Sequence, residues 1–257
     1  MTGDLEVALR RRRDAGGCAF VPYVTGGLDG VDADLLRDLA AAGADAIEVG
    51  IPFSDPVMDG SVIQEASRRA LEGGTRPEDV LRTIHGASVD VPVAVMTYFN
   101  PVLRHGVSAF LDHAADAGVT GVIVPDLPVD EADDVAAACR SSGVAPVFLA
   151  APSTSHERLR AIAGVAAGFV YCVATYGVTG EREALSGTAA QVVEALRPLT
   201  DLPLLVGVGI GTPEQAADAC GFADGVVVGS ALVRHLLGGD RDAAVRLAGA
   251  FRDAVPS

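Results

Sequence analysis

Glu48 and Asp59 are the residues of this chain whose types and spacing could do acid/base chemistry. Glu48 interrupts the apolar run Ile47-Glu48-Val49-Gly50-Ile51, and Asp59 follows eleven residues later in the stretch Pro52-Phe53-Ser54-Asp55-Pro56-Val57-Met58-Asp59-Gly60. A carboxyl inside an apolar strand loses solvation, so its pKa climbs toward the range in which it both gives and takes a proton. A loop carboxylate beside solvent stays ionised. The ordinary alternatives are a capping or surface glutamate and a plain Asp-Gly turn. Strand alternation weighs against the first: Ala46, Glu48 and Gly50 share one side and Ile47 and Val49 the other. In a strand buried on both faces, Glu48 then meets an interior with no cation in the local sequence. Perturbed carboxyls also occur in structural networks, so the pair needs a binding site beside it.

Glycines supply a candidate. Gly207-Val208-Gly209-Ile210-Gly211-Thr212 and Gly229-Ser230 each follow an apolar run. Backbone without Cβ atoms lets N–H groups close on an oxyanion, and a helix N-terminus adds its positive end, so a phosphate can be cradled without lysine. Such glycines also serve simply as tight-turn residues. Gly177-Val178-Thr179-Gly180 could close over the same group. The combination suggests a small phosphate ester held at one side while a carboxyl pair works on the rest of it.

Positioning these groups requires a frame. Short apolar runs alternate with Ala/Leu-rich stretches of helical period along the whole chain. Strands are expected at Phe20 to Thr25, Ala46 to Gly50, Val93 to Tyr98, Gly121 to Val124, Pro146 to Leu149, Phe169 to Val173, Leu204 to Gly207 and Gly225 to Val228. Helices are expected at about Asp32 to Ala42, Ser61 to Leu71, Pro77 to Ala87, Val107 to Ala117, Asp130 to Ser142, Ser155 to Ile162, Thr188 to Leu196, Pro213 to Cys220, Ser230 to Leu237 and Asp240 to Phe251. A short helix carrying Leu5, Val7 and Leu9 precedes them. Strands apolar on both faces, each followed by a helix, imply a parallel sheet, and eight such units close a barrel. The expected fold is therefore α/β, a (β/α)8 TIM barrel with an extra N-terminal helix, in one domain over residues 1–257. An open doubly wound sheet is the alternative, but no G-x-G-x-x-G opens the first helix. In the barrel, Glu48, Asp59 and the longest loops fall at the C-terminal mouth, and the loops after the second and sixth strands are candidate lids.

Composition removes other classes. The net charge of −15 over 257 residues argues against nucleic acid or an anionic membrane as partner. All nineteen Lys+Arg residues are arginine, which excludes Schiff-base chemistry through a lysine. Cys18, Cys139, Cys172 and Cys220 lie far apart without a C-x-x-C pair and read as reduced thiols rather than a disulfide framework or zinc site. His85, His105, His113, His156 and His235 do not cluster with carboxylates at ligand spacing, so no catalytic metal is expected. The arginine run from Arg10 to Arg13 reads as a solvated helix face. The charged N-terminus lacks the apolar core of a signal peptide and no run reaches membrane-spanning length, which points to the cytoplasm.

Familiar reactions can be tested on this layout. Amadori-type isomerases place acids after the first and fifth strands, but those ends read Tyr23-Val24-Thr25 and Leu149-Ala150-Ala151. Lysine-dependent aldolases and indole-forming ring closures lack their lysine. A carbon–carbon cleavage here would have to use an electron sink inside the substrate. The runs Phe20-Val21-Pro22-Tyr23-Val24-Thr25, Glu48-Val49-Gly50-Ile51-Pro52-Phe53-Ser54-Asp55-Pro56, Asp59-Gly60, Tyr98-Phe99-Asn100-Pro101, Pro125-Asp126-Leu127-Pro128, Gly177-Val178-Thr179-Gly180 and Val228-Gly229-Ser230-Ala231 resemble the tryptophan synthase alpha subunit family, in order and over nearly the whole chain.

The resemblance implies retro-aldol cleavage of indole-3-glycerol phosphate to indole and glyceraldehyde 3-phosphate, with no cofactor. It also implies an alpha2beta2 complex in which indole passes to a pyridoxal-phosphate beta subunit. Glu48 and Asp59 would be catalytic, Gly180, Gly209, Gly229 and Ser230 would hold the phosphate, and Thr179 would close as a lid against Asp59. Tyr23, Met96, Tyr98, Ile123, Leu149 and Tyr171 would line the indole slot, although all six also suit plain barrel core. Asp55, Pro56, Asn100 and Pro101 would face the partner. The chain departs from the family at Met58, Ser61, Thr175, Val208 and Gly211, which bears on loop dynamics and on the phosphate site. A non-catalytic phosphate-ester sensor and a lyase acting alone are the competing functions.

Overall fold

Eight parallel strands close into a barrel in the computed structural model, which describes residues 3–173, 182–207 and 209–257, the side chains of 182–186 aside. The strands are β1 (Ala19–Thr25), β2 (Ile47–Gly50), β3 (Val93–Met96), β4 (Val119–Ile123), β5 (Ala145–Ala150), β6 (Val170–Val173), β7 (Leu204–Gly207) and β8 (Gly225–Val228). Each pairs with the next, and β1 closes on β8 through Phe20 opposite Val226 and Val21 opposite Val227. All eight apolar runs thus become strands, because a strand with barrel interior on one side and helices on the other must be apolar on both.

The helices are α1 (Asp4–Asp14), α2 (Ala33–Ala41), α3 (Ser61–Glu72), α4 (Pro77–Ala87), α5 (Phe99–His105), α6 (Val107–Asp116), α7 (Asp133–Ser142), α8 (His156–Val165), α9 (Arg182–Leu196), α10 (Pro213–Ala219), α11 (Ser230–Leu237) and α12 (Arg241–Ala254). Local chemistry starts several of them: Asp32 accepts from Leu35 N–H, and Thr212 with Gln215 forms a capping box before Pro213. Helix α5 is absent from the sequence expectation. The third strand ends at Met96 instead of Tyr98, Tyr98 becomes the residue before α5, and Pro101 fits the first turn, where its missing N–H leaves nothing unpaired.

The N-terminal helix closes the bottom of the barrel. Leu5 is fully buried, and a Cβ on Gly121 would meet its Cδ2 at 2.5 Å, so the strand glycine makes room for the plug. Outside the barrel, Phe20 of β1 stacks on Phe251 of α12, with ring centres 6.1 Å apart.

Tertiary structure corrects three sequence expectations. Cys18 and Cys220 are joined by a disulfide with a Cα–Cα distance of 5.8 Å across 202 residues of chain. Barrel closure brings the start of β1 beside the end of α10, which no spacing rule reports. Cys139 and Cys172 are free and buried, and burial pushes both thiols up to about 12, so they stay protonated and unreactive at neutral pH. The arginine run is tied down in part: Arg12 Nε donates to Asp45 at 2.7 Å and Arg10 to Glu6 at 2.7 Å. His105 Nε2 lies 2.9 Å from His113 Nδ1, and its Nδ1 lies 3.4 Å from Glu78, because the end of α5 meets both α4 and α6. Even so, among the described residues no group of three or more His, Cys, Asp or Glu could hold a metal ion. Among the same residues, no helix is long and apolar enough to cross a membrane.

Candidate active site

Glu48 stands in β2 in register with Tyr23 of β1 and Ala94 of β3. It is 1 % exposed, and its Oε2 has no hydrogen-bond partner. Burial first, and the nearby Asp59 charge second, push its pKa up to about 8. At neutral pH Glu48 therefore carries a proton it can release.

Asp59 lies on the loop from β2 to α3. It is half-buried, which corrects the expectation of an ordinary solvent-side carboxylate: desolvation lifts its pKa to about 6, and the Tyr98 hydroxyl pulls against that rise. The two carboxyls still separate in the expected sense, since near pH 7 Asp59 is mostly ionised while Glu48 is mostly protonated.

The loop that carries Asp59 is anchored. Asp59 N–H donates to the Pro56 carbonyl at 3.0 Å, and Gln64 Nε2 of α3 donates to the Asp59 carbonyl at 2.9 Å. Met58 N–H donates to the Tyr98 hydroxyl at 2.9 Å, and the Phe53 and Tyr98 rings stack with centres 5.0 Å apart. Gln64 went unnoticed in the sequence, because reaching back five residues from the first turn of α3 leaves no pattern in residue spacing.

Of the residues expected to line the slot, Tyr23 and Tyr98 stand near enough to Asp59 to feel its charge. Met96, the last residue of β3, is in register with Gly50 and Ile123, the last residues of β2 and β4, and Leu149 of β5 is in register with Tyr171 of β6. Tyr23, Tyr98, Ile123 and Tyr171 are buried, and Met96 and Leu149 are half-buried. Two glycines make space for two tyrosines: a Cβ on Gly50 would run into the Tyr23 hydroxyl, and one on Gly207 into the Tyr171 hydroxyl. Thr97 at the end of β3 is 1 % exposed with a hydroxyl lacking any partner, and nothing in the sequence marked it.

The candidate phosphate residues adjoin this slot. Gly229 precedes α11 and Ser230 begins it, and a Cβ on Gly229 would sit 3.2 Å from Tyr23 Cδ1. Tyr23 thus borders both Glu48 and the helix start. Gly209 takes φ +90°, a left-handed value that favours glycine, after β7. The Gly211 N–H is already used by Gln215 Oε1 at 2.7 Å. Thr175, Thr179, Gly180 and Val208 lie outside the described residues.

A model of the tryptophan synthase alpha chain family matches residues 9–250. The tryptophan synthase alpha chain of Halorhodospira halophila is 46 % identical over 251 residues, covering 96 % of this chain and 91 % of the relative. That of Carboxydothermus hydrogenoformans is 45 % identical over 226 residues, covering 86 % and 85 %. The chain belongs to the tryptophan synthase alpha chain family. Solved structures agree: Mycobacterium tuberculosis tryptophan synthase superposes with a TM-score of 0.92 at 39 % identity over the whole of both chains. The Legionella pneumophila alpha subunit gives 0.89 at 33 % identity, covering 99 % and 98 %. Tryptophan synthase alpha chains are lyases that cleave indole-3-glycerol phosphate in tryptophan biosynthesis, and this is the function of the present chain.

Proposed function

We propose that Glu48 and Asp59 carry out the cleavage as an acid/base catalyst and an electrostatic stabiliser, with the substrate itself as electron sink. Glu48 delivers its proton to indole C3, which leaves the ring cationic. The side-chain hydroxyl next to C3 gives its proton back to the Glu48 carboxylate, its C–O bond becomes the carbonyl of glyceraldehyde 3-phosphate, and the C3–C bond electrons restore the aromatic indole. No step requires a cofactor. Asp59 accepts a hydrogen bond from the indole N–H and stabilises the positive charge that develops there. Tyr23, Met96, Tyr98, Ile123, Leu149 and Tyr171 hold the ring, and Gly180, Gly209, Gly229 and Ser230 hold the phosphate, with Thr179 closing the site. The observation that carries this reading is a buried glutamate whose Oε2 has no hydrogen-bond partner, protonated near pH 7, beside a second carboxyl of lower pKa.

The same reading makes the chain, a single barrel domain over residues 1–257, the alpha half of an alpha2beta2 assembly in the cytoplasm, passing indole to a beta subunit. Asp55 and Asn100 are exposed and Pro56 and Pro101 half-exposed at one side of the mouth. Val57 and Met58, at 78 % and 57 % exposure, and Leu103 of α5, at 57 %, add apolar surface there. In the cytoplasm the Cys18–Cys220 bond would face a reducing thiol pool, and the burial of Cys18 opposes that attack.

The test is indole release from indole-3-glycerol phosphate by the chain alone and mixed with a beta subunit. Glu48→Gln should abolish release while leaving phosphate-ester binding in place, and an active Gln variant would refute the assignment. A pure sensor of the ester would release no indole in either mixture. High activity without a beta subunit would identify a lyase acting alone.

A further inference from the structure

We propose that Gln64 is a positioning residue for Asp59: its side-chain amide ties the backbone of the β2–α3 loop to the first turns of α3 and so fixes where the Asp59 carboxylate stands in the mouth. The inference rests on the catalytic reading of Asp59 given above and adds a residue that acts through it. Helix α3 begins at Ser61, and a helical side chain leans back toward the N-terminus of its helix. Gln64 therefore reaches over the start of α3 to the residues just before it. Its Nε2 lies 2.9 Å from the Asp59 carbonyl oxygen and, at a longer 3.4 Å, from that of Pro56. A primary amide carries two protons on one nitrogen, one for each carbonyl. The reverse orientation would set Oε1 against two carbonyl oxygens, so the network fixes which end of the amide faces the loop.

The amide holds a stretch of chain that is largely open to solvent. Val57 and Met58 are exposed, and the bonds from Val57 N–H to the Asp55 carbonyl, at 2.8 Å, and from Ser54 Oγ to Asp55, at 2.6 Å, stay inside the loop. At Asp59 three successive backbone groups are taken. Met58 N–H donates to the Tyr98 hydroxyl at 2.9 Å, Asp59 N–H to the Pro56 carbonyl at 3.0 Å, and the Asp59 carbonyl accepts from Gln64. With the backbone held on both sides of its Cα, Asp59 keeps only its side-chain torsions, which confines the carboxylate to a small part of the mouth. Gly60, the residue that caps α3, has no side chain to offer, and the link from this helix to the Asp59 backbone comes from Gln64. Gln64 is itself exposed, so replacing it removes the link without opening the core.

The experiment is steady-state indole release from indole-3-glycerol phosphate by the full chain, alone and with a beta subunit, comparing wild type with Gln64→Met and Gln64→Lys. Methionine matches glutamine in length and helix propensity but donates no hydrogen bond. Gln64→Met should lower kcat by about tenfold and leave KM within about twofold, the signature of an interaction that matters in the transition state rather than in binding the ester. Gln64→Lys restores a donor at the end of an unbranched chain and should recover most of the lost kcat. A role in merely filling space at the start of α3 would be served by methionine as well, and kcat would not move.

Asp59→Asn, measured in parallel, separates the two levels of the argument. If it abolishes release while Gln64→Met keeps the wild-type kcat, or raises KM alone, the inference is overturned and the catalytic reading stands. If Gln64→Lys is as slow as Gln64→Met, the donated hydrogen bonds are not what Gln64 contributes, and the inference fails by that route. An Asp59→Asn chain that releases indole at the wild-type rate refutes the catalytic reading and the inference together.

Discussion

Replacing Glu48 by Gln should change the pH dependence of stability as well as abolish catalysis, and the size of that change follows from the burial of one carboxyl. Glu48 in the folded barrel titrates at about 8, against an ordinary value of 4.5. Its folded value is raised, so folding favours the protonated form. The stabilising linkage is complete below about 4.5 and is lost as pH rises through about 8. Integrated from about pH 5 to about pH 9, this one group removes about 4 kcal/mol of stability as pH increases. Glutamine does not titrate. Its amide has the same difficulty finding a partner that Glu48 Oε2 has now, a penalty of about 1–3 kcal/mol, but that penalty is independent of pH. The difference in unfolding free energy between variant and wild type should therefore climb by about 4 kcal/mol over the same range, while every unaltered group cancels. Urea unfolding of both proteins at a series of pH values measures it directly. Parallel stability curves would mean that Glu48 is not held protonated by burial, and the proton donor of the proposed reaction would be lost with it.

Three further outcomes follow. The rate of indole release should be bell-shaped in pH, rising as Asp59 ionises near 6 and falling as Glu48 loses its proton near 8, and a flat profile across that range would exclude both roles. Gly50→Ala should destabilise the chain by about 1–3 kcal/mol because its Cβ meets the buried Tyr23 hydroxyl, and Tyr23→Leu in the same chain should recover part of the lost thermal midpoint. Cys220→Ser should lower stability by up to about 5 kcal/mol, the loop-closure value for so long a ring, and leave the indole rate alone. Thiol titration of the unfolded, unreduced protein should find two free cysteines, and finding four would remove the disulfide.

The fold was legible where a residue's role is set by its own strand or helix. Apolar runs marked all eight strands, and Glu48 stood out because a charge inside such a run has no local explanation. What escaped depends on residues distant in sequence. Helix α5 was hidden because Val93 to Tyr98 reads as one β run until Tyr98 turns to meet Met58. The disulfide required barrel closure. The half-burial of Asp59 required Tyr98 and Phe53 to draw its loop inward, which a Gly/Pro-rich sequence alone does not foretell. Resemblance to a known family placed Tyr23, Met96, Ile123, Leu149 and Tyr171 in the slot, where the residues alone would have passed as core.

The barrel divides its stabilising and destabilising groups between its two ends. At the N-terminal face, Asp45 accepts from Phe20 N–H at 2.9 Å and pairs with Arg12 and Arg252, and Asp224 accepts from Leu204 N–H at 2.8 Å and pairs with Arg197. Each acid there satisfies a strand amide and meets a guanidinium, and the disulfide and the Leu5 plug lie at the same end. At the mouth the pattern reverses. Glu48 and Thr97 each keep a buried polar atom unpartnered, and the carboxyls are raised rather than lowered in pKa. Local penalties of this kind persist only when the surrounding structure holds them in place. A carboxyl satisfied by an arginine could not exchange protons near neutral pH, so the unsatisfied mouth is the condition for the proposed chemistry. The tightly paired base allows the barrel to keep it.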